Sequence, residues 1–257
     1  MKPICILALG DIVGEQAIEM LENNLKEIKE KYSVDFVIAN GENACKARGI
    51  TKKLFYRLID SGIDVVTMGN HTYSNPDIYE IDDKRLIIPL NGHRKTKEKG
   101  YEIFECKGSQ IFVANLLGKN LGGELNAFKE IREVLHHLKE DIKIKVIDFH
   151  AECCNEKMAL AYMLRNDVSM VYGTHTHVQT NDAKILYHRL GYITDIGMCG
   201  PIRSAIGYDL DFEVKRWLED NGQDSILSDD SNCQINGIIF KVDPNTGNTL
   251  NVHTIVI

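Results

Sequence analysis

The sequence predicts an α/β protein, and three observations carry that reading. Short apolar runs alternate with stretches of helical spacing in the amino-terminal part, which implies parallel strands with helices covering the sheet faces. Further on, two apolar runs are separated only by Lys107-Gly108-Ser109-Gln110, the spacing of an antiparallel hairpin, so the sheet is mixed. The third observation is chemical. Strand-like runs repeatedly end in Asp, Glu, Asn or His, at the sheet edge where ligands of α/β proteins sit.

Taken in order, Ile4 to Leu9 reads as a buried strand that ends at Gly10-Asp11. Glu15 to Tyr32 shows helical spacing through Ile18, Leu21, Leu25 and Ile28. Val34 to Ala39 is the second strand and opens into Asn40-Gly41-Glu42-Asn43; Thr51 then caps a helix that stops at Gly62. Val65 to Met68 is a short strand turning at Gly69 to present Asn70 and His71. Tyr101 to Cys106 and Ile111 to Leu116 form the hairpin. A helix follows over Glu124 to Leu138, then a strand over Ile144 to Phe149, a helix from about Asn155 to Leu164, and a strand over Val168 to Tyr172. Short strands are expected at Ile185 to Tyr187 and Tyr192 to Thr194, a helix near Phe212 to Leu218, and an exposed loop over Gln223 to Asn232. Ile235 to Val242 and Thr249 to Ile257 form a terminal pair around the turn Asp243 to Asn248.

With 257 residues, 44% of them hydrophobic, the chain can bury a full core, and residues 1–257 are read as a single domain. A formal charge of −7 argues against affinity for a long phosphate backbone, so no extended nucleic-acid groove is expected. Seven cysteines without a Cys-x-x-Cys pair indicate neither a disulfide framework nor a thiolate zinc site, and favour a reducing compartment. Met1-Lys2-Pro3 runs straight into a short apolar stretch unlike a signal peptide. No apolar run approaches the ~20 residues of a membrane span. A cytoplasmic protein is the expectation, with a homo-oligomer left open.

Asp11, Glu42, Asn43, Asn70, His71, His150, His175 and His177 all fall just past a strand's carboxyl end. Any one of these pairs alone would read as a polar strand-to-loop turn. Together they are too many donors for one ion, and suit two ions sharing a bridge at ~3.5–4 Å, the arrangement used for phosphoryl displacement. His175 and His177 stand at i and i+2, a spacing that in a tight loop can aim two imidazoles at adjacent ions.

These residues carry a family resemblance. Gly10-Asp11, Gly41-Glu42-Asn43, Gly69-Asn70-His71, His150 and Gly173-Thr174-His175-Thr176-His177, in this order, resemble the calcineurin-like metallophosphoesterases, specifically their bacterial YmdB-like branch. Val13 stands where the broad superfamily has a His, and Glu42 where it has an Asp; both changes mark the branch. The resemblance implies a sandwich of two mixed β-sheets flanked by helices, with the site along one edge. It implies one metal on Asp11, Glu42, Asn43 and His177 and another on Glu42, Asn70, His150 and His175, Glu42 bridging. His71, left without a metal, is placed as general acid while a metal-activated hydroxide attacks phosphorus. Iron or manganese suits a nitrogen and oxygen shell without thiolate. The implied substrate is a small phosphodiester such as a 2′,3′- or 3′,5′-cyclic nucleotide. The rival reading is a regulatory nucleotide- or RNA-binding module that keeps the metal site with little turnover.

Two loops bordering the site, Glu15 to Ile18 and Ala44 to Gly49, depart from the branch pattern. Asp148 and Asp195 are placed either to orient a ligating imidazole or as ordinary strand-end residues. Lys46 and Arg48 read as solvated cations rather than phosphate contacts. His93, His136, His137, His188 and His253 lack motif context and are assigned to surface or packing positions. Cys153 and Cys154 are read as buried apolar residues.

Overall fold

The computed structural model describes residues 2–46, 48–92, 100–219 and 222–257. His93 and Ala47 lie outside the described residues. The strands are, in chain order, β1 Ile4–Leu9, β2 Asp11–Ile12, β3 Phe36–Asn40, β4 Val65–Thr67, β5 Leu86–Ile87, β6 Tyr101–Cys106, β7 Ser109–Leu117, β8 Ile144–His150, β9 Met170–Thr174, β10 Lys184–Leu186, β11 Leu190–Ile193, β12 Met198–Pro201, β13 Cys233–Val242 and β14 Thr249–Val256. The α-helices are α1 Glu15–Tyr32, α2 Lys52–Asp60, α3 Ala127–His137, α4 Cys154–Leu164 and α5 Leu210–Glu219.

Local chemistry sets most of these boundaries. Thr51 caps α2 as the sequence predicts, its Oγ1 accepting from Leu54 N at 3.2 Å. The helix expected from Glu124 begins later, at Ala127, because Asn126 takes the cap and accepts from Lys129 N at 3.1 Å. The hairpin turns on Lys107 and Gly108, with φ of 49° and 75°, the positive pair that a two-residue turn requires. β9 starts two residues later than Val168, whose N–H still donates to Leu164 O at the exit of α4. The expected loop at Gln223 to Asn232 is mostly exposed, but Ser228 is buried and its carbonyl accepts from Gln16 Nε2.

Two mixed sheets form a sandwich. The first runs β2-β12-β13-β1-β3-β4-β5, with β14 paired to β13; the second runs β10-β11-β9-β8-β7-β6. In the first, β1, β3, β4 and β5 are parallel neighbours while β13 lies antiparallel to β1. In the second, β7, β8, β9 and β11 are parallel and the outer β6 and β10 antiparallel. Strand alternation assigns the faces. Ile4, Ile6 and Ala8 point into the core between the sheets with Val113, Val146, Tyr172 and Phe240, whereas Cys5, Leu7 and Leu9 meet α1 and α2. Helices α3 and α4 cover the other outer face over Phe112, Ile147 and Val171. Each of the Val, Leu, Ile and Phe side chains among these, fully buried, contributes about 1.5–3 kcal/mol of transfer free energy. No helix among the described residues is long and apolar enough to cross a membrane.

Candidate metal centre

Parallel strands from both sheets end at one edge, and the eight predicted residues meet there. Asp11 opens β2, Glu42 and Asn43 follow β3, Asn70 and His71 follow β4, His150 ends β8, and His175 and His177 follow β9. Asp11, Glu42 and His150 are fully buried. The turn after β3 is fixed by Asn40, whose Oδ1 accepts from Glu42 N at 3.1 Å, and by Gly49 N donating to the Glu42 carbonyl at 2.6 Å. Glu42 then reaches both sheets. Its Oε2 accepts from His71 N at 2.8 Å, and its Oε1 accepts from Asn43 Nδ2 at 3.2 Å and lies 3.1 Å from His150 Nε2.

His150 Nε2 is the most crowded atom of the site. Glu42 Oε1 at 3.1 Å, Asn70 Oδ1 at 2.9 Å and His175 Nδ1 at 3.1 Å surround it, although one N–H can point at only one acceptor. Such a knot of lone pairs needs a cation among them. Asp11 supplies a second sign, since its buried Oδ1 has no hydrogen-bond partner while Oδ2 accepts from His175 N at 3.1 Å. His177 Nε2 lies 3.9 Å from that Oδ1 and 3.3 Å from Asn43 Nδ2. The donor set therefore fits a metal ion, with Glu42, His150 and His175 offering atoms within 4.8 Å of one another.

Neighbours set the ring orientations. His177 Nδ1 is 2.7 Å from Ile206 O, which directs Nε2 at Asp11 and Asn43. His175 Nε2 is 2.9 Å from Glu152 Oε2, leaving Nδ1 toward His150. His71 stays at the rim, half-buried, its Nε2 3.2 Å from Asn70 Nδ2 and its Nδ1 3.5 Å from Ser74 Oγ.

The electrostatics follow from burial and charge. Burial alone would raise Glu42, but the His150 imidazolium beside it brings the carboxyl down to about 2. Burial would likewise lower His150, and Glu42 with Asp11 overrides it, to about 9. His175 is held near 3 by burial and by the His150 charge. Burial pushes Asp11 up. His71 is held below the ordinary imidazole range, chiefly by burial, with Glu42 opposing and the Arg48 guanidinium adding to it.

The remaining expectations meet the structure unevenly. Asp148 does not touch an imidazole directly. It accepts from Thr67 Oγ1 at 2.6 Å and Thr174 Oγ1 at 2.7 Å, and Thr174 Oγ1 is in turn 3.0 Å from His150 Nδ1. Burial raises Asp148 to about 6, against those hydroxyls. Asp195 orients backbone rather than a ring, as described below. Cys153 is half-buried and Cys154 exposed, because both sit where α4 begins at the surface. His136, His137, His188 and His253 are surface residues. Lys46 is exposed, while Arg48 is half-buried with φ 66°. Of the first divergent loop, Glu15 pairs with Arg57.

The reading from sequence missed Asn40, Thr67, Thr174, Lys157 and the Ile206 carbonyl. Asn40 and the two threonines end β3, β4 and β9, so strand-end position is a signal that could have found them. Lys157 on α4 has none, since a helical lysine ordinarily faces solvent.

Known proteins share this architecture. Residues 7–255 match the YmdB-like protein family. A 2′,3′-cyclic-nucleotide 2′-phosphodiesterase of Bacillus subtilis is 35% identical over 255 residues, covering 98% of this chain and 96% of the relative. A crystal structure of a phosphatase from Mycoplasma pneumoniae matches with a TM-score of 0.92 at 33% identity, covering 100% of this chain and 94% of that one. A putative 5′-nucleotidase from Staphylococcus aureus, with a TM-score of 0.62 and 13% identity, covers 98% of this chain and 54% of its own and shares the fold alone. The chain thus belongs to the YmdB-like family and is a metal-dependent phosphoric ester hydrolase with the calcineurin-like fold.

Proposed function

We propose that residues 1–257 act as one dinuclear phosphodiesterase domain opening small cyclic phosphodiesters, 2′,3′- or 3′,5′-cyclic nucleotides foremost. One ion would be held by Asp11, Glu42, Asn43 and His177, the other by Glu42, Asn70, His150 and His175, with Glu42 common to both sets. The observation carrying this reading is the lone-pair cluster around His150 Nε2 together with the unpartnered Asp11 Oδ1. When bound, the ions would supply Lewis-acid charge to a phosphoryl oxygen and make water nucleophilic near neutral pH. Iron or manganese suits the donors, for among the described residues no cysteine joins the cluster.

The protein's own residues have separate tasks. Glu42 would offset the charge of both cations; Asn70 already turns its carbonyl oxygen toward His150, whereas Asn43 turns its amide nitrogen toward Glu42 and His177 and would ligate through oxygen only after that amide flips. His71 lies at the rim, where its ring can face a leaving oxygen; burial makes its imidazolium a stronger acid but the minor form at neutral pH, and it is that form that would give the proton. The cyclic-nucleotide preference is supported by the Bacillus subtilis relative's activity and its coverage of almost the whole chain. Seven free cysteines fit a reducing, cytoplasmic setting.

The test is a substrate panel of 2′,3′- and 3′,5′-cyclic nucleotides, linear diesters and monoesters, assayed with iron, manganese or zinc added to metal-stripped protein. Metal-dependent turnover highest on a cyclic diester is expected. Tight nucleotide binding without turnover under every metal would instead identify a binding module.

A further inference from the structure

Helix α4 carries a lysine that faces inward. Lys157 is fully buried, and its Nζ lies 2.9 Å from Asp195 Oδ2 and donates to the Thr174 carbonyl at 3.0 Å. Asp195 is fully buried too. The same Oδ2 accepts from Thr176 N at 3.1 Å, and Oδ1 accepts from Gly197 N at 2.9 Å. The pair thus grips the backbone on both sides of His175. Asp195 is itself anchored, since its N–H donates to Thr180 Oγ1 and its carbonyl accepts from Thr180 N, both at 3.0 Å.

The gripped segment is strained. His175 has φ 100° and His177 φ 63°, the left-handed region that side chains with a Cβ rarely adopt. Close packing leaves the strand end no slack, for a Cβ on Gly173 would lie 1.8 Å from Thr194 O and 2.7 Å from Lys157 Cδ. Nor does stability explain the pair, because buried ion pairs are often replaceable by apolar residues at no loss. What the charges add is three directed bonds to the loop and its flanking turn.

We infer that Lys157 and Asp195 are positioning residues, holding the His175–His177 loop in its ligating conformation before any metal arrives. This rests on the reading of His175 and His177 as ligands. It gives α4 a role in the chemistry, acting on the backbone through Lys157 while Glu152, just before the helix, orients the His175 ring.

Hydrogen exchange on the metal-stripped wild type tests the inference without any substitution. The Thr176 and Gly197 amides should exchange as slowly as the amides of β9; exchange at the rate of an open loop would overturn it. Lys157→Met and Lys157→Met/Asp195→Leu provide the second arm, the double variant leaving no unpaired charge to prevent folding. Either folded variant should bind cobalt(II) about 10–100-fold more weakly, the usual effect of losing an outer support, with an altered visible absorption spectrum. Val113→Ala, a core change away from the loop, should lower the melting temperature yet keep the wild-type cobalt spectrum. Wild-type cobalt affinity and spectrum in a folded Lys157 variant would remove the positioning role. If the wild type itself bound no cobalt, the ligand reading would fall, and the exchange result would still decide whether the pair sets the loop.

Discussion

Three potential donors converge on His150 Nε2, and the metal-free protein answers with a proton. With its pKa near 9, His150 is a cation at neutral pH paired with a Glu42 carboxylate held near 2. Raised above the ordinary imidazole value of ~6.5, His150 stabilises the metal-free fold fully below that value and loses the contribution as pH climbs through about 9. Glu42, depressed below ~4.3, stabilises above that value and loses the contribution as pH falls toward 2. A metal must displace the His150 proton. Its affinity should therefore rise about tenfold per pH unit from neutrality until about pH 9 and then level off, as calorimetric titration of the stripped protein would show. A flat profile over that range would mean that His150 is neutral before loading. That the donor residues would meet at one edge was legible in the sequence, because so many strands end in the few residue types able to ligate. Lys157 was not, because its role depends on backbone groups brought near by the fold.

At the scale of the element, the site is a set of strand ends, and the turn after β4 shows how tightly they are set. A Cβ on Gly69 would lie 2.4 Å from Glu42 Oε2 and 2.5 Å from His150 Nε2. Gly69→Ala should therefore fold, since β4 and its buried partners remain, but should lose most of its metal. Metal analysis beside a thermal melt checks this; full metal content at an unchanged melting temperature would show that the two ligands have room to move. The sequence revealed the long elements, whose periodicity extends over several turns or residues, and missed β2, β5 and β12. Those strands have only two, two and four residues, too few for alternation to register. Yet β2 carries Asp11, and its pairing with Met198 of β12 fixes where that carboxylate stands.

At the scale of the molecule, the centre is divided between the sheets. Asp11, Glu42, Asn43, Asn70 and His71 come from the first, and His150, His175 and His177 from the second, so the packed core between them sets the distances across the site. A mixed sandwich was legible from the alternating pattern and the hairpin. Its strand order was not, because β13 pairs with β1 across most of the chain length, and no local signal encodes such a contact. On the proposed reading this divided site hydrolyses phosphodiesters with His71 as proton donor. The direct measurement is turnover by His71→Ala on two diesters, one releasing p-nitrophenolate and one releasing a ribose hydroxyl. With metal content unchanged, turnover on the ribose substrate should fall by roughly 10²–10⁴, and the loss should be much smaller for p-nitrophenolate, which departs without a proton. Equal losses on both substrates, or no loss on either, would contradict the account.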